Sequence, residues 1–214
     1  MTGLLVLPLE PNETYTRECF RIGVNQNLFS TLFSPDHLWV HGDSAVGKTH
    51  AMHVLVTELD SAILVTDDEY ELTGLEAFFT VVLDGVDQWI GNEEKERQIF
   101  GLYERLVRAK HRLVITSGSE MERLEFVLPD LRSRFSMFTS YHMLPLPPSE
   151  QLAFLQDLVK KKGATLSTEV GRYLLRHVTR SQIGLVQAVS RLNEESIFRN
   201  RTISIPLVKE VFSL

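Results

Sequence analysis

The sequence is short of cysteine, of positive charge and of long apolar runs, and each shortage excludes a class of protein. Its single cysteine, Cys19, cannot form an internal disulfide, which fits a reducing compartment. With a formal net charge of −6, the chain lacks the excess of basic residues that is typical of an autonomous nucleic-acid-binding protein. No apolar run approaches the length of a membrane span, and no basic region precedes the short apolar run near Met1. We therefore expect a cytoplasmic protein with no membrane partner.

The composition that remains is that of an ordinary globular protein. The chain has 214 residues, of which 43% are hydrophobic and 23% are charged. This length is enough for one domain, or for a main domain with a small appendix, and it buries a core without disulfides. We find no internal repeats.

The most informative stretch reads Gly-x-x-x-x-Gly-Lys-Thr, the pattern of a phosphate-binding loop. Its glycines let successive backbone N–H groups point at an anion, Lys48 reaches the terminal phosphates, and the Thr49 hydroxyl binds Mg²⁺. A strand-like segment precedes the loop, and residues 51–59 have helical spacing. The stretch predicts a site for ADP or ATP, formed by Gly42, Asp43, Ser44, Ala45, Val46, Gly47, Lys48, Thr49 and His50.

A second element is a mostly apolar strand that ends in Asp84. Proteins with a phosphate loop place there the aspartate that holds Mg²⁺, so Asp84 joins Thr49 as a predicted metal-site residue. The next position is Gly85, which has no side chain to polarise an attacking water. Asp87 is the remaining carboxylate candidate for catalysis, and we expect at most weak ATPase activity from the chain itself.

Two further residues have two interpretations each. Ser117 ends a buried strand, where it either senses the terminal phosphate or simply joins strand to loop. Arg134 lies in a short basic segment, Leu128–Phe135, and is either a solvated cation at a helix end or an arginine that reaches a neighbouring subunit's phosphates.

The ends of the chain complete the predicted organisation. Residues 4–9 are apolar and made extended by Pro8, so they form either an edge strand or flap, or a peptide that docks in a partner's groove. A helix is predicted over 25–33. After the proline-rich stretch 145–148 the sequence pattern predicts only helices. Their predicted starts are Ser149, Ser167, Ser181 and Ser204. We therefore divide the chain into residues 1–10, a parallel α/β base at 11–146, and an all-α lid at 147–214.

These features together resemble the DnaA-related AAA+ ATPases of bacterial replication initiation, most of all the regulatory Hda proteins among them. The resemblance covers nearly all of the chain. It is carried by the phosphate loop, the strand that ends in Asp84, the segment Leu-Pro-Asp-Leu-x-Ser-Arg at 128–134, and the ending Ile-Pro-Leu-Val-Lys-Glu at 205–210. It implies a P-loop AAA+ fold, with a parallel-sheet base followed by a small helical lid.

The resemblance also implies roles for individual residues. Phe20, Ile22 and Gly23 match the family's adenine-side motif. Arg134 matches the arginine finger. Ile183 stands where the family has a lid arginine that reads the nucleotide, and Arg180 is close enough in sequence to replace it. The N-terminal peptide resembles the motif Q-L-x-L-P-L that binds the DNA polymerase III sliding clamp, with Leu4 in place of the glutamine and Leu5, Leu7, Pro8 and Leu9 retained.

The function implied is a regulator that docks on the sliding clamp and offers Arg134 in trans to ATP held by the DnaA initiator, which prevents over-initiation. Gly118 stands where initiators carry an aspartate, and the sequence stops at Leu214 where an initiator continues into a helix-turn-helix domain. We therefore expect no direct sequence-specific DNA binding. The alternatives are a self-contained weak ATPase, and an adaptor or loader that tethers a client without catalytic contribution. A homo-oligomer is compatible with the sequence.

Overall fold

Five parallel strands form one sheet. The computed structural model describes residues 15–67, 69–178 and 181–214. The strands are β1 Leu38–His41, β2 Ala62–Val65, β3 Thr80–Leu83, β4 Arg112–Ser117 and β5 Thr139–His142, and they lie in the order β2-β3-β4-β1-β5. The predicted parallel arrangement is confirmed, and β3 ends at Leu83, one residue before the aspartate that ends the predicted strand.

Four helices accompany the sheet and cover both of its faces. Successive side chains of a strand point to opposite faces, and both faces need an apolar cover in a parallel sheet. The helices are α1 Leu28–Leu32, α2 Lys48–Glu58, α3 Glu93–Ala109 and α4 Pro129–Phe135. Trp39 accordingly packs in the cluster that includes α3 and α4, whereas Leu38 and Val40 pack in the cluster that includes α1 and α2.

The helix predicted over 25–33 is real but shorter, because its first residue is used elsewhere. The buried Asn25 side chain donates to the Leu144 carbonyl oxygen and accepts from the Leu144 N–H, both at 2.8 Å. This pair of hydrogen bonds ties the segment before α1 to the chain that leaves β5. The segment therefore turns at Asn25, and α1 begins only at Leu28.

The C-terminal third is all helical and has a core of its own. Ser167 and Ser181 cap their helices as predicted, since each side chain accepts a backbone N–H three residues on. The cap predicted at Ser149 is wrong, because Pro147 is the cap residue and Pro148 already occupies the first turn. The helices are α5 Pro148–Lys161, α6 Thr168–His177, α7 Gln182–Phe198 and α8 Ile205–Phe212.

A search for membrane-spanning helices gave none within the described ranges. No helix there combines the necessary length with a sufficiently apolar sequence.

Candidate functional site

The phosphate-loop pattern forms a tight turn between β1 and the first residue of α2. Gly47 precedes the helix with a φ of +108°, a conformation that favours glycine. At Gly42 the restriction is space, because a Cβ there would lie 2.3 Å from the carbonyl oxygen of Met143. Asp43, Ser44 and Ala45 are exposed at the tip of this turn. Both glycines are thus required by the path of the backbone.

Lys48 folds back over the loop that it follows. Its Nζ donates to the carbonyl oxygens of Gly42 at 2.7 Å and Asp43 at 2.9 Å. Burial lowers the pKa of Lys48, and the carboxylates of Asp84, Asp87 and Asp43 oppose that shift. The ammonium group is therefore held at the mouth of the loop by carbonyl oxygens, which phosphate oxygens can replace.

Thr49 and Asp84 meet at the carboxyl edge of the sheet. Thr49 Oγ1 donates to Asp84 Oδ2 at 2.6 Å. The other carboxylate oxygen accepts from the hydroxyl of Thr116, near the end of the neighbouring strand β4. The two residues predicted for the metal site are thus in direct contact.

Asp87 lies beside the end of β4. Its Oδ1 accepts from Ser117 Oγ at 2.8 Å, and its Oδ2 accepts from the Gly118 N–H at 2.7 Å. Ser117 is fully buried, and its Oγ also accepts from the Ser119 N–H at 3.0 Å. The candidate base and the candidate sensor are therefore hydrogen-bonded to each other.

Gly85 separates the two aspartates and leaves open space beside them. Its φ is +78°, and apart from its two chain neighbours no described residue has an atom within 4 Å of the position that a Cβ would take. Its N–H donates to Thr116 Oγ1 at 2.8 Å. The position is thus restricted by backbone conformation and not by crowding.

The segment that carries Phe20, Ile22 and Gly23 lies between the loop and the lid. Phe20 is buried against His50 of α2, with 5.1 Å between ring centroids. Gly23 has a φ of +55°, which favours glycine, and a Cβ there would lie 2.3 Å from Leu146 Cδ2, so the leucine side chain would have to move. Ile22 is half-buried on the face that contains α1 and α2.

Arg21, in the same segment, is bound to the lid. Its backbone N–H and carbonyl oxygen both bond to the side-chain amide of Gln182, the first residue of α7. Its guanidinium pairs with Asp157 of α5 at 2.9 Å. Base and lid are therefore joined directly beside the loop.

His50 is buried in the first turn of α2. Its Nε2 bonds to the carbonyl oxygen of Thr16 at 3.0 Å, whereas Nδ1 has no hydrogen-bond partner among the described residues. Burial lowers the pKa of His50, and the bond to Thr16 acts in the opposite direction. His50 and Val46 thus belong to the packing beneath the loop.

Arg134 lies on a different element from the phosphate-loop residues. It is in the last turn of α4, the helix that follows β4 in the chain. Its side chain is 49% exposed, and its Nε lies 3.8 Å from Glu104 Oε1 on α3. Met137, three residues later, is 76% exposed. An arginine and a methionine are thus both accessible at one end of this helix.

Three residues that hold the site together were missed from the sequence: Thr116, Gln182 and Glu96. Thr116 has a signal, since it directly precedes Ser117 at the end of a strand. Gln182 directly follows a predicted helix cap, and Glu96 lies in the first turn of a charged helix. Neither position has a sequence signal that indicates its contacts. The Glu96 carboxylate is completely buried and accepts the N–H groups of Gly91, Val127 and Leu128.

Other predicted positions lie outside the described residues, namely Arg180, Leu5, Leu7, Pro8 and Leu9. Within the part of the chain that the structure describes, no cluster of three or more histidine, cysteine or acidic residues could hold a metal ion.

Comparison with known proteins places this fold. Residues 149–212 match the family described as Hda, lid domain. Domain III of the replication initiation protein DnaA from Thermotoga maritima superposes with a TM-score of 0.77 at 18% identity, covering 94% of this chain and 97% of that one. AMPPCP-bound DnaA from Aquifex aeolicus gives 0.71 at 19% identity, covering 89% and 68%.

A third similar structure is the Thermotoga maritima RuvB Holliday junction branch migration motor, with a TM-score of 0.65 at 12% identity over 88% of this chain and 67% of that one. At such identities the likeness shows the fold, and it confirms the predicted AAA+ base with a helical lid. Residues 149–212 thus match the Hda lid family, and the fold of the chain is similar to that of the AAA+ protein DnaA.

Proposed function

We propose that the chain is a nucleotide-binding regulator of replication initiation that supplies Arg134 in trans to ATP held by DnaA. Three observations together carry the proposal. The residues suited to holding a nucleotide surround the phosphate loop, position 85 has no side chain, and a half-exposed arginine lies on a different helix. Such a chain is equipped to bind a nucleotide of its own and to act on another.

The nucleotide is ADP or ATP, bound by the backbone of residues 42–49 and by Lys48. Similarity to AMPPCP-bound DnaA supports this assignment. Mg²⁺ prefers oxygen ligands and usually takes one or two from the protein. The Thr49 hydroxyl and the Asp84 carboxylate, 2.6 Å apart, offer such oxygens and fit the ion. When bound, the ion neutralises charge on the phosphates.

Hydrolysis by the chain itself is weak in this proposal. The residue after Asp84 cannot polarise a water, because it is glycine. Asp87 is the nearest carboxylate in sequence that could replace such a residue. Both of its carboxylate oxygens, however, already accept hydrogen bonds, one from the Ser117 hydroxyl and one from the Gly118 N–H. A bound nucleotide therefore serves as a structural ligand.

In this proposal Arg134 acts on the ATP that is bound to DnaA. An arginine that reaches a transferring phosphoryl group stabilises the negative charge that develops there, an effect of about 10³–10⁵ in rate for GTPases. The exposure of Arg134 and its long, solvent-accessible pairing with Glu104 leave the guanidinium ready to change partners. Leu5, Leu7, Pro8 and Leu9 dock on the sliding clamp, and from there the chain presents the finger to DnaA.

The test is single-turnover hydrolysis of ATP preloaded on DnaA, with clamp loaded on DNA and this protein added. Wild type is expected to accelerate hydrolysis, and Arg134→Ala to lower the stimulated rate by about a hundredfold or more. Arg132→Ala is the matched control, because Arg132 is also exposed on α4.

The contrary outcomes point to the alternatives. If Arg134→Ala stimulates as well as wild type while deletion of residues 1–9 abolishes the effect, the chain is an adaptor. If the isolated chain turns over ATP rapidly, it is an ATPase in its own right.

A further inference from the structure

We propose that the side chain of Gln182 occupies the contact that would otherwise receive the base of the nucleotide, so that a base must displace it. The inference rests on the proposed nucleotide binding and adds a residue that sets how much the base contributes. It concerns the lid residue Gln182 and the backbone of Arg21.

The contact is a matched pair of hydrogen bonds. Gln182 Oε1 accepts from the Arg21 N–H at 2.7 Å, and Gln182 Nε2 donates to the Arg21 carbonyl oxygen at 3.0 Å. Only 3% of Gln182 is exposed, so these bonds are screened from water. The backbone donor and acceptor of Arg21 are therefore both engaged by one amide group.

An adenine base could make the same two bonds. Adenine presents a ring-nitrogen acceptor next to its exocyclic amino donor, which is the arrangement that a carboxamide group has. The backbone N–H and carbonyl oxygen of one extended residue can bind either group, but not both at once. Gln182 and a base are thus competitors for Arg21.

The amide lies where a bound nucleotide would extend. A Cβ built on Gly47, at the end of the phosphate loop, would lie 3.5 Å from Gln182 Nε2 and 3.3 Å from the ring of Phe20. Gln182 therefore packs against both the loop and the segment that contains Phe20, whose adenine-side role is implied by the family resemblance. A base attached to phosphates on this loop meets Gln182 before it reaches Arg21.

The lid need not detach when the amide is displaced. The guanidinium of Arg21 pairs with Asp157 of α5 at 2.9 Å, and Lys161 donates to the Glu18 carbonyl oxygen at 3.0 Å. These contacts hold the lid to the same segment independently of Gln182. The consequence is a site that binds phosphates readily but gains little from the base, because each bond to the base replaces one already present.

The test compares binding of Mg²⁺–ADP and Mg²⁺–pyrophosphate by titration calorimetry. Gln182→Ala is expected to bind ADP about tenfold more tightly than wild type and to leave pyrophosphate affinity within about twofold, because only the base has a competitor to displace. Gln182→Leu keeps the volume without donor or acceptor and is expected to shift ADP affinity in the same direction. Gln156→Ala, which loses an amide bond inside the lid at Leu166, is the matched control.

Three results would overturn the inference. ADP affinity that is unchanged in both Gln182 variants would show that no competition exists. ADP and pyrophosphate affinities that weaken together would make Gln182 a support of the closed lid instead. If wild type binds neither probe, the proposed nucleotide binding itself fails and the inference with it; if wild type binds ADP, only the inference is at stake.

Discussion

The carboxylate of Asp87 lies against the backbone of Gly118, whose N–H donates to Oδ2 at 2.7 Å. The contact joins the turn after β3 to the loop after β4, two segments that meet only at the carboxyl edge of the sheet. A Cβ on Gly118 would lie 3.6 Å from Asp87 Oδ1, which is ordinary contact distance. Position 118 thus has space for a small side chain but not for a second negative charge.

The Gly118→Asp variant is expected to be less stable than wild type by about 1–3 kcal/mol, because two carboxylates would share this edge. Gly118→Ala is the control and should be nearly neutral. The measurement is urea denaturation at low and high salt, where added salt should recover part of the loss in the aspartate variant only. Equal loss in both variants would mean that backbone conformation, and not charge, restricts the position.

Among the acidic residues of the α/β base, Glu96 is expected to cost the most unfolding free energy when it is replaced. Glu96→Ala would leave the N–H groups of Gly91, Val127 and Leu128 without their acceptor, at a cost of about 3 kcal/mol or more in unfolding free energy. Glu94→Ala, on the exposed side of the same helix, should change stability by less than about 0.5 kcal/mol. Denaturant titration measures both.

A milder change at Glu96 tests its effect on the finger. Leu128 is the cap residue of α4, the helix that carries Arg134. Glu96→Gln keeps one acceptor oxygen, so the chain should fold while the start of α4 loosens. We expect lower stimulation of DnaA-bound ATP hydrolysis with unchanged ADP affinity. A parallel loss of both would indicate general damage to the fold.

Replacing Gly85 tests why hydrolysis by the chain is weak. Gly85→Asp supplies a carboxylate next to Asp84, and Gly85→Asn supplies the same shape without the charge. Both residues tolerate a positive φ better than most, so their costs in stability should match. The aspartate variant alone is expected to gain intrinsic ATPase activity, by about tenfold or more. Activity in neither variant would mean that more than this acid is missing.

Acidification should destabilise the fold through its buried histidines. Burial lowers the folded-state pKa of His50 below its ordinary value of 6.5, so the unfolded chain binds more protons as the pH falls through 6.5. Stability is therefore full above that pH and is lost below it. His37, His41 and His53 shift in the same direction, each mainly through burial.

The His50→Gln variant isolates one of these contributions. Glutamine can still donate to the Thr16 carbonyl oxygen but does not titrate. Unfolding free energies measured between about pH 5 and 8 should fall less steeply for the variant than for wild type. Identical slopes would place the titrating group elsewhere.

The sequence predicts most of this fold because its signals are local. Apolar strands that end in polar residues, the phosphate-loop glycines, and serines at helix starts each follow from a few neighbouring residues. Ser149 shows the limit of that approach, since the two prolines before it decided where α5 begins.

What the sequence does not reveal is contacts between distant segments. Asn25 shortens α1 by binding Leu144, and Gln182 binds Arg21 across 161 positions. Glu96 looks like a surface acid on a charged helix, yet it is buried by two loops that fold over it. Such residues carry no periodic pattern, because their partners are chosen by the tertiary structure.

The loose pairing of Arg134 with Glu104 has a consequence for stoichiometry. At 3.8 Å between two half-exposed side chains, the pair contributes at most about 1 kcal/mol, so it is easily opened and as easily restored. A regulator that returns to its starting arrangement after each encounter is not consumed. Under the proposed function, a small number of copies can serve a larger pool of initiators in succession, and abundance then sets how fast the pool is inactivated, not how completely.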